Sequence, residues 1–111
     1  MIKTKTDWLD ETAATASANS TWFTVDNANE LLVFVRVTDI PVTGTFDLKI
    51  QTKDPDGNAV DLTSAAITQV TDTTINTYLA VIVFGSQVRV AVTIGSGTYT
   101  YKVHATAKGQ R

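Results

Sequence analysis

Four oxygen-bearing side chains crowd one short segment of the chain, and crowded oxygen ligands are typical of calcium sites. They are Asp54, Asp56, Asn58 and Asp61. An EF-hand calcium loop has glycine at its sixth position and glutamate at its twelfth. Counted from Asp54, both positions are alanine, Ala59 and Ala65. We therefore interpret the segment as a solvated turn, with a weak cation site as the alternative, and expect no metal or other cofactor.

The chain has one histidine and no cysteine, which removes thiolate chemistry, disulfides and the common imidazole metal clusters. His104 shares the outward side of the last predicted strand with Lys102, where a general base is poorly oriented. No Gly-x-Ser-x-Gly sequence supplies a nucleophile, and the glycine-bearing turns at residues 85–86 and 95–97 lack the lysine of a phosphate loop. The protein is not expected to be an enzyme.

Aromatic side chains offer the remaining chemistry, because flat rings stack on sugars. One interpretation is a carbohydrate platform made of Trp8, Trp22, Phe23, Tyr78, Tyr99 and Tyr101. The other places most rings in a hydrophobic core, namely Phe23, Phe34, Phe46, Tyr99 and Tyr101. Their period-two spacing among valines favours the core, and the platform stays the alternative.

The elements that must position these groups are built from β-branched residues. The 111 residues include 20 Thr, 13 Val and 7 Ile, but six Leu and two Glu. Such residues fit a pleated sheet and lose rotamer freedom in a helix. A chain of this length is one domain that can bury its own core. The composition therefore predicts an all-β fold.

Alternating apolar and polar residues predict seven to eight short strands from residue 19 onward. They cover residues 21–25, 31–38, 45–53, 60–62, 67–70, 76–83, 87–94 and 98–107. In the second strand Leu31, Val33, Val35 and Val37 point one way, and Leu32, Phe34 and Arg36 the other. Turn signals between the strands favour an antiparallel β-sandwich. Spacing leaves open whether it is jelly-roll-like or immunoglobulin-like.

Residues 1–18 lack this alternation, so we predict an irregular N-terminal arm ahead of a β-sandwich domain at residues 19–111. A short helix over residues 7–16 is the alternative, weakened by interspersed Thr and Ser. The large apolar groups of the arm are Ile2, Trp8 and Leu9, and they must fold back on the sandwich or dock on another subunit. Together with Trp22 they are our candidate protein-interface residues.

Net charge and hydropathy narrow the classes of partner that we expect for this chain. Nine basic and eleven acidic residues give a net charge of −2, which disfavours nucleic-acid binding. The longest apolar run, within residues 31–35, is far shorter than the roughly 20 residues of a membrane helix. No apolar region of a signal peptide follows the first basic residues. We expect no membrane partner and synthesis in a cytoplasm.

Several segments also carry a family resemblance. They are residues 15–20, 31–38, 42–45, 48–54, 62–68, 88–90 and 97–107. In this order they are similar to small virion structural proteins of tailed bacteriophages. The resemblance spans about residues 13 to 107 and rests on strand pattern and turn placement rather than on a chemical motif.

The resemblance implies a non-enzymatic capsid decoration (cement) protein, or another minor head protein, with a β-sandwich that forms a dimer or trimer. Its partners would be the major capsid protein or other virion proteins, and its location the virion, after synthesis in the host cytoplasm. The family lends no catalytic residues. A tail or neck component, a head fibre and a carbohydrate-binding module for host adhesion remain alternatives.

Overall fold

In the computed structural model, two antiparallel β-sheets pack face to face. The structure describes residues 2–26, 28–40, 43–82 and 84–109. Nine strands lie within these ranges: β1 (Ile2–Ala14), β2 (Ala18–Asn19), β3 (Phe23–Thr24), β4 (Ala28–Asp39), β5 (Thr45–Lys53), β6 (Ala59–Ala66), β7 (Ile75–Val81), β8 (Gln87–Ser96) and β9 (Tyr99–Gly109). This part of the chain contains no helix that is long and apolar enough to cross a membrane. The predicted all-β sandwich is confirmed.

The order of the strands identifies the type of sandwich. One sheet has four strands in the order β1-β9-β4-β7, and the other has the order β2-β8-β5-β6, with β3 also paired to β8. Since β2 and β3 pair with successive parts of β8, they act as one interrupted strand. The resulting eight strands follow the jelly-roll order. An immunoglobulin-like sandwich would instead pair the first strand with the second.

The core lies between the sheets and follows the predicted alternation of β4, β5, β8 and β9. Leu31, Val33, Val35 and Val37 of β4 are all buried. At the centre, the ring of Phe46 packs 5.3 Å from that of Tyr99 and 4.9 Å from that of Tyr101, measured between centroids. Burying each such side chain contributes about 1.5–3 kcal/mol relative to exposure, so this layer holds the sheets together.

The N-terminal segment differs from its prediction. Residues 2–14 form β1, an edge strand that pairs antiparallel with β9, so the irregular arm over residues 1–18 is corrected, as is the alternative helix over residues 7–16. Register shifts interrupt the pairing between Lys5 and Leu9 and between Glu11 and Ala14. The first irregularity adds two residues to β1 relative to β9 and the second adds one, and the neighbouring Trp8 and Leu9 are both buried. For this reason the strand shows no period of two in the sequence.

The prediction for residues 60–70 also needs correction. The first predicted strand, residues 60–62, lies within the longer strand β6, which ends at Ala66, and the second, residues 67–70, is not a strand. Val70 forms an isolated bridge instead, in which the N–H of Phe46 and the N–H of Val70 each donate to the other residue's carbonyl oxygen at 2.9 Å. Val70 thereby closes the core beside Phe46 without extending the sheet.

Candidate functional site

Two of the four candidate interface residues lie in the core. Trp8 is 5% exposed and Leu9 is 9% exposed. The ring of Trp8 meets that of Phe23 edge-on, with centroids 5.6 Å apart, and its Nε1–H donates to the Thr21 carbonyl oxygen at 2.8 Å. Of the two alternatives expected for Trp8 and Leu9, they take the one in which they fold back on the sandwich, where they connect β1 to the rest of the domain.

The other two candidates are exposed or half-buried on different sheets. Ile2 begins β1 and is 70% exposed. Trp22 precedes β3, and its ring lies under two cations, with Lys53 Nζ at 4.8 Å and Arg89 Cζ at 4.7 Å from the centroid. Arg89 is fixed in turn, since its Nε–H donates to Gln51 Oε1 at 2.8 Å. The structure does not join the four residues into one exposed surface.

The oxygen-rich segment is a turn stabilised by its first carboxylate. The N–H groups of Asp56 and Asn58 donate to Asp54 Oδ1 at 3.0 and 2.8 Å. Asp61 is engaged elsewhere: hydrogen bonds from Gln51 and then Lys49 lower the pKa of its carboxyl group. Within the described ranges, no three acidic or histidine side chains come together as metal ligands. The solvated-turn interpretation accounts for these contacts.

His104 has a structural contact. Its Nδ1 accepts a hydrogen bond from the N–H of Asp7 at 2.9 Å. Asp7 lies in the first bulge of β1 with a φ of 50°, a conformation that leaves this N–H without a strand partner. The imidazole therefore connects the bulge of β1 to β9. Through Nδ1, His104 positions this part of β1.

The predicted aromatic platform is dispersed. Trp8, Phe23, Tyr99 and Tyr101 are all buried, which matches the core interpretation for the last three. Tyr78, in contrast, is 62% exposed. Phe34, predicted to be in the core, is 41% exposed, because the inner positions of β4 are taken by its alternating leucine and valines. Among the described aromatic side chains, Phe34 and Tyr78 are exposed and lie on adjacent strands, whereas Trp22 is half-buried beneath its two cations.

The two exposed rings belong to a surface that we call the Arg36 patch. It comprises Phe34, Arg36, Asn76, Tyr78, Lys102 and His104, on the outer side of the four-stranded sheet. In register, Phe34 lies between Tyr78 of β7 and His104 of β9. Arg36 lies between Asn76 and Lys102 of the same two strands. An aromatic row and a polar row therefore run side by side, about 7 Å apart along the strands.

The Arg36 patch is open and shallow. Three depressions of about 390, 400 and 360 Å³ share Arg36 as a lining residue. The first is lined by five members of the patch. The other two continue along β4 past Thr38, one of them toward Asp10 and Thr12 of β1. The shape fits a ligand that lies across the strands rather than one enclosed in a pocket.

The charges of the Arg36 patch are unevenly compensated. Lys102 Nζ lies 3.8 Å from Asp7 Oδ1 and 3.7 Å from Asp10 Oδ2. Arg36 forms no ion pair with the side chains that the structure describes. The guanidinium group keeps its hydrogen-bond donors available beside two exposed rings.

The Arg36 patch was not predicted from the sequence, although one signal for it was present. The alternation in β4 already placed Phe34 and Arg36 on the side opposite the core valines. What the sequence does not show is that β7 and β9 are the neighbours of β4. Without that pairing, Asn76, Tyr78 and Lys102 could not be connected to Arg36.

Comparison with known proteins identifies solved structures of similar fold. No protein-family model and no curated protein matches the sequence. The chain is similar to the SPBc2 prophage-derived protein YomS, with a TM-score of 0.61 and 19% identity over 96% of this chain and 92% of that chain. It is similar to the protein of an infectious bursal disease virus particle, with a TM-score of 0.65 and 12% identity over 98% of this chain and 31% of that chain.

A third similar structure is the C-terminal CBM6, a carbohydrate-binding module, of the laminarinase LamC from Zobellia galactanivorans. Its TM-score is 0.50 at 10% identity, over 97% of this chain and 100% of that chain. At such identities these similarities show the fold alone. They confirm the expected likeness to viral β-sandwich proteins at that level.

Proposed function

We propose that the chain is a non-enzymatic structural protein of a bacteriophage particle that decorates the assembled head. The observation that carries this proposal is the end-to-end match of its jelly roll to a prophage-derived protein. Jelly rolls are recurrent building units of viral capsids. Two of the side chains with candidate chemistry, His104 and Asp54, accept hydrogen bonds from backbone N–H groups, which supports a role in contact rather than in catalysis.

The proposed partner is the major capsid protein, with the decoration protein arranged as a dimer or trimer. Two exposed apolar residues lie at opposite edges of the four-stranded sheet: Ile2 in β1 is 70% exposed and Ile82, directly after β7, is 74% exposed. Single exposed apolar residues are common on protein surfaces, but each of these two lies at a sheet edge, where unpaired backbone groups can also meet another chain. We propose these two edges as the surfaces that meet neighbouring subunits.

Sedimentation with phage heads tests the proposal. Purified protein is mixed with assembled heads and separately with isolated tails of the phage that encodes it, and gradient fractions are quantified by mass spectrometry. We expect saturable binding to heads, weakened about tenfold by Ile2→Asp or Ile82→Asp and unchanged by Lys49→Gln on the other sheet. Binding to tails alone favours a tail or neck component. Absence from both fractions, and from purified virions, overturns the structural role.

Host adhesion through a carbohydrate is a second candidate function. It is favoured by one observation, the exposed rings of Phe34 and Tyr78 on neighbouring strands. Exposed aromatic rings supply the flat apolar faces on which sugars stack. A particle protein can carry such a surface in addition to its lattice contact.

A further inference from the structure

We infer that the Arg36 patch binds a polysaccharide built from uronic acids, whose rings carry carboxylates. The patch lies on a sheet face that the lattice contact proposed above, at the edges of that sheet, does not use. The inference rests on the second candidate function, carbohydrate binding, and names the class of its ligand; it is independent of where the protein sits in a particle.

The aromatic row supplies the stacking surface. Phe34 and Tyr78 are opposite each other on β4 and β7, and they are 41% and 62% exposed. Continued to His104 on β9, the row crosses three strands, which spans about 10 Å at the usual strand spacing. This is the length of a disaccharide, so two sugar rings can lie along the row.

The polar row supplies the recognition of charge. Arg36 and Lys102 are directly opposite each other on β4 and β9, and like charges in this position destabilise a sheet. The nearby carboxylates, Asp7 and Asp10, lie on the far side of Lys102, so the arginine is left uncompensated among the described side chains. A carboxylate on the ligand completes this arrangement through a bidentate pair with the guanidinium.

The surroundings favour a sugar polymer over a protein as the occupant. Beyond the two rings, the depressions around Arg36 are lined mainly by polar groups, among them Thr38, Thr74 and Thr100. Hydroxyl and amide groups hydrogen-bond to sugar hydroxyls, whereas the core of a protein interface is usually more apolar and is depleted of lysine, which this patch contains as Lys102. The open shape also allows a chain to continue past both ends of the row.

Two forms of one ligand test the inference. Tetragalacturonate and its methyl ester are titrated into the full chain, with affinity from calorimetry and the site from backbone amide NMR shifts. We expect shifts at β4, β7 and β9, and binding of the acid at least about tenfold tighter than binding of the ester, the ratio given by about 1.4 kcal/mol of charge-assisted bonding. Equal affinities overturn the assignment of a charged ligand.

Matched variants separate stacking from charge. Arg36→Gln should weaken binding of the acid about tenfold and leave the ester unchanged, whereas Phe34→Ala should weaken both. Lys49→Gln removes one positive charge from the other sheet and should change neither. Because Phe34 and Arg36 are exposed, the variants should keep the melting temperature of the parent.

The outcomes distinguish this inference from the proposed function. If no saccharide binds and the protein still sediments with heads, the glycan site is overturned and the proposed decoration role is not. If Arg36→Gln and Phe34→Ala instead abolish sedimentation with heads and no saccharide binds, the patch is a protein contact. Saccharide binding without head binding retains the site and overturns only the decoration role.

Discussion

At the scale of single residues, Tyr101 and Tyr99 share the core but differ in how their hydroxyl groups are satisfied. Tyr99 Oη–H donates to the Thr71 carbonyl oxygen at 3.3 Å. Tyr101 Oη is buried and has no hydrogen-bond partner among the described residues. Burial, with a smaller effect from Glu11, raises the pKa of Tyr101 to about 12. Burial, with Asp47, also raises the pKa of Tyr99.

The unpaired hydroxyl group predicts a stabilising substitution. Tyr101→Phe should raise the free energy of unfolding by about 1 kcal/mol, because it removes a buried polar group that gains no bond in the folded state. Urea denaturation at pH 7 measures the change. Tyr99→Phe is the control and should lower stability by about 1 kcal/mol, since it removes a hydrogen bond. Equal losses in both variants would show that the Tyr101 hydroxyl group is paired.

The raised pKa of Tyr101 predicts loss of stability in alkali. Between the ordinary tyrosine pKa of about 10 and the folded value, the unfolded chain has released a proton that the folded chain retains. The contribution of Tyr101 to the free energy of unfolding is therefore fully present below pH 10. Above that pH it falls by up to about 1.4 kcal/mol per pH unit. Urea midpoints from pH 9 to 11.5 measure the slope. Tyr101→Phe should reduce it, and an unchanged slope contradicts the assignment.

At the scale of elements, β1 shows how an edge strand can contain bulges and still be held firmly against its neighbour, β9. Its two bulges contain Asp7 and Ala13, with φ of 50° and 52°. Side chains of β9 replace the missing ladder bonds: the Asp7 N–H donates to His104 Nδ1 at 2.9 Å, and the Ala13 N–H to Thr100 Oγ1 at 3.0 Å. Bulges also make an edge less suited to pairing with a foreign strand.

The positive φ of Ala13 predicts an unusual effect of glycine. Ala13→Gly should stabilise the protein by about 0.5 kcal/mol, because relief of the roughly 1–2 kcal/mol left-handed penalty exceeds the entropic cost of glycine. Ala80→Gly makes the same change on edge strand β7, at a position without positive φ, and should destabilise it by about 0.5–1 kcal/mol. Chemical denaturation of both variants tests the contrast, and equal losses would contradict it.

The elements that sequence reasoning located are those with uninterrupted alternation. Phe46, Leu48 and Ile50 predicted the inner face of β5, and the structure buries all three. β1 was missed because its alternation is interrupted: the adjacent Trp8 and Leu9 are both buried, and one extra residue lies between Glu11 and Ala14. The Arg36 patch was missed for a different reason: it combines three strands, and their order depends on contacts between distant parts of the chain.

At the scale of the whole molecule, the first and last strands of the fold, β1 and β9, pair with each other. Ile2 is the register partner of Lys108, and β1 follows β9 along its length. Ordering such distant segments costs loop entropy before any contact forms, so jelly rolls fold on the slow scale of milliseconds to seconds. Once formed, β1 covers the edge of β9 and brings Trp8 into contact with Phe23. The N-terminal segment is therefore structurally part of the domain.

Removal of residues 1–18 should therefore destabilise the domain by several kcal/mol, since it takes Trp8 and Leu9 out of the core. Trp8→Ala in the full chain should lower stability by about 3–5 kcal/mol, and Thr6→Ala, at an exposed position of the same strand, should change it little. Thermal denaturation measures all three.

A synthetic peptide of residues 2–14 added to the truncated chain should restore the missing strand and raise its melting temperature. A truncated chain that melts at the parent temperature would contradict the packing of β1 and return residues 1–18 to the status of an arm.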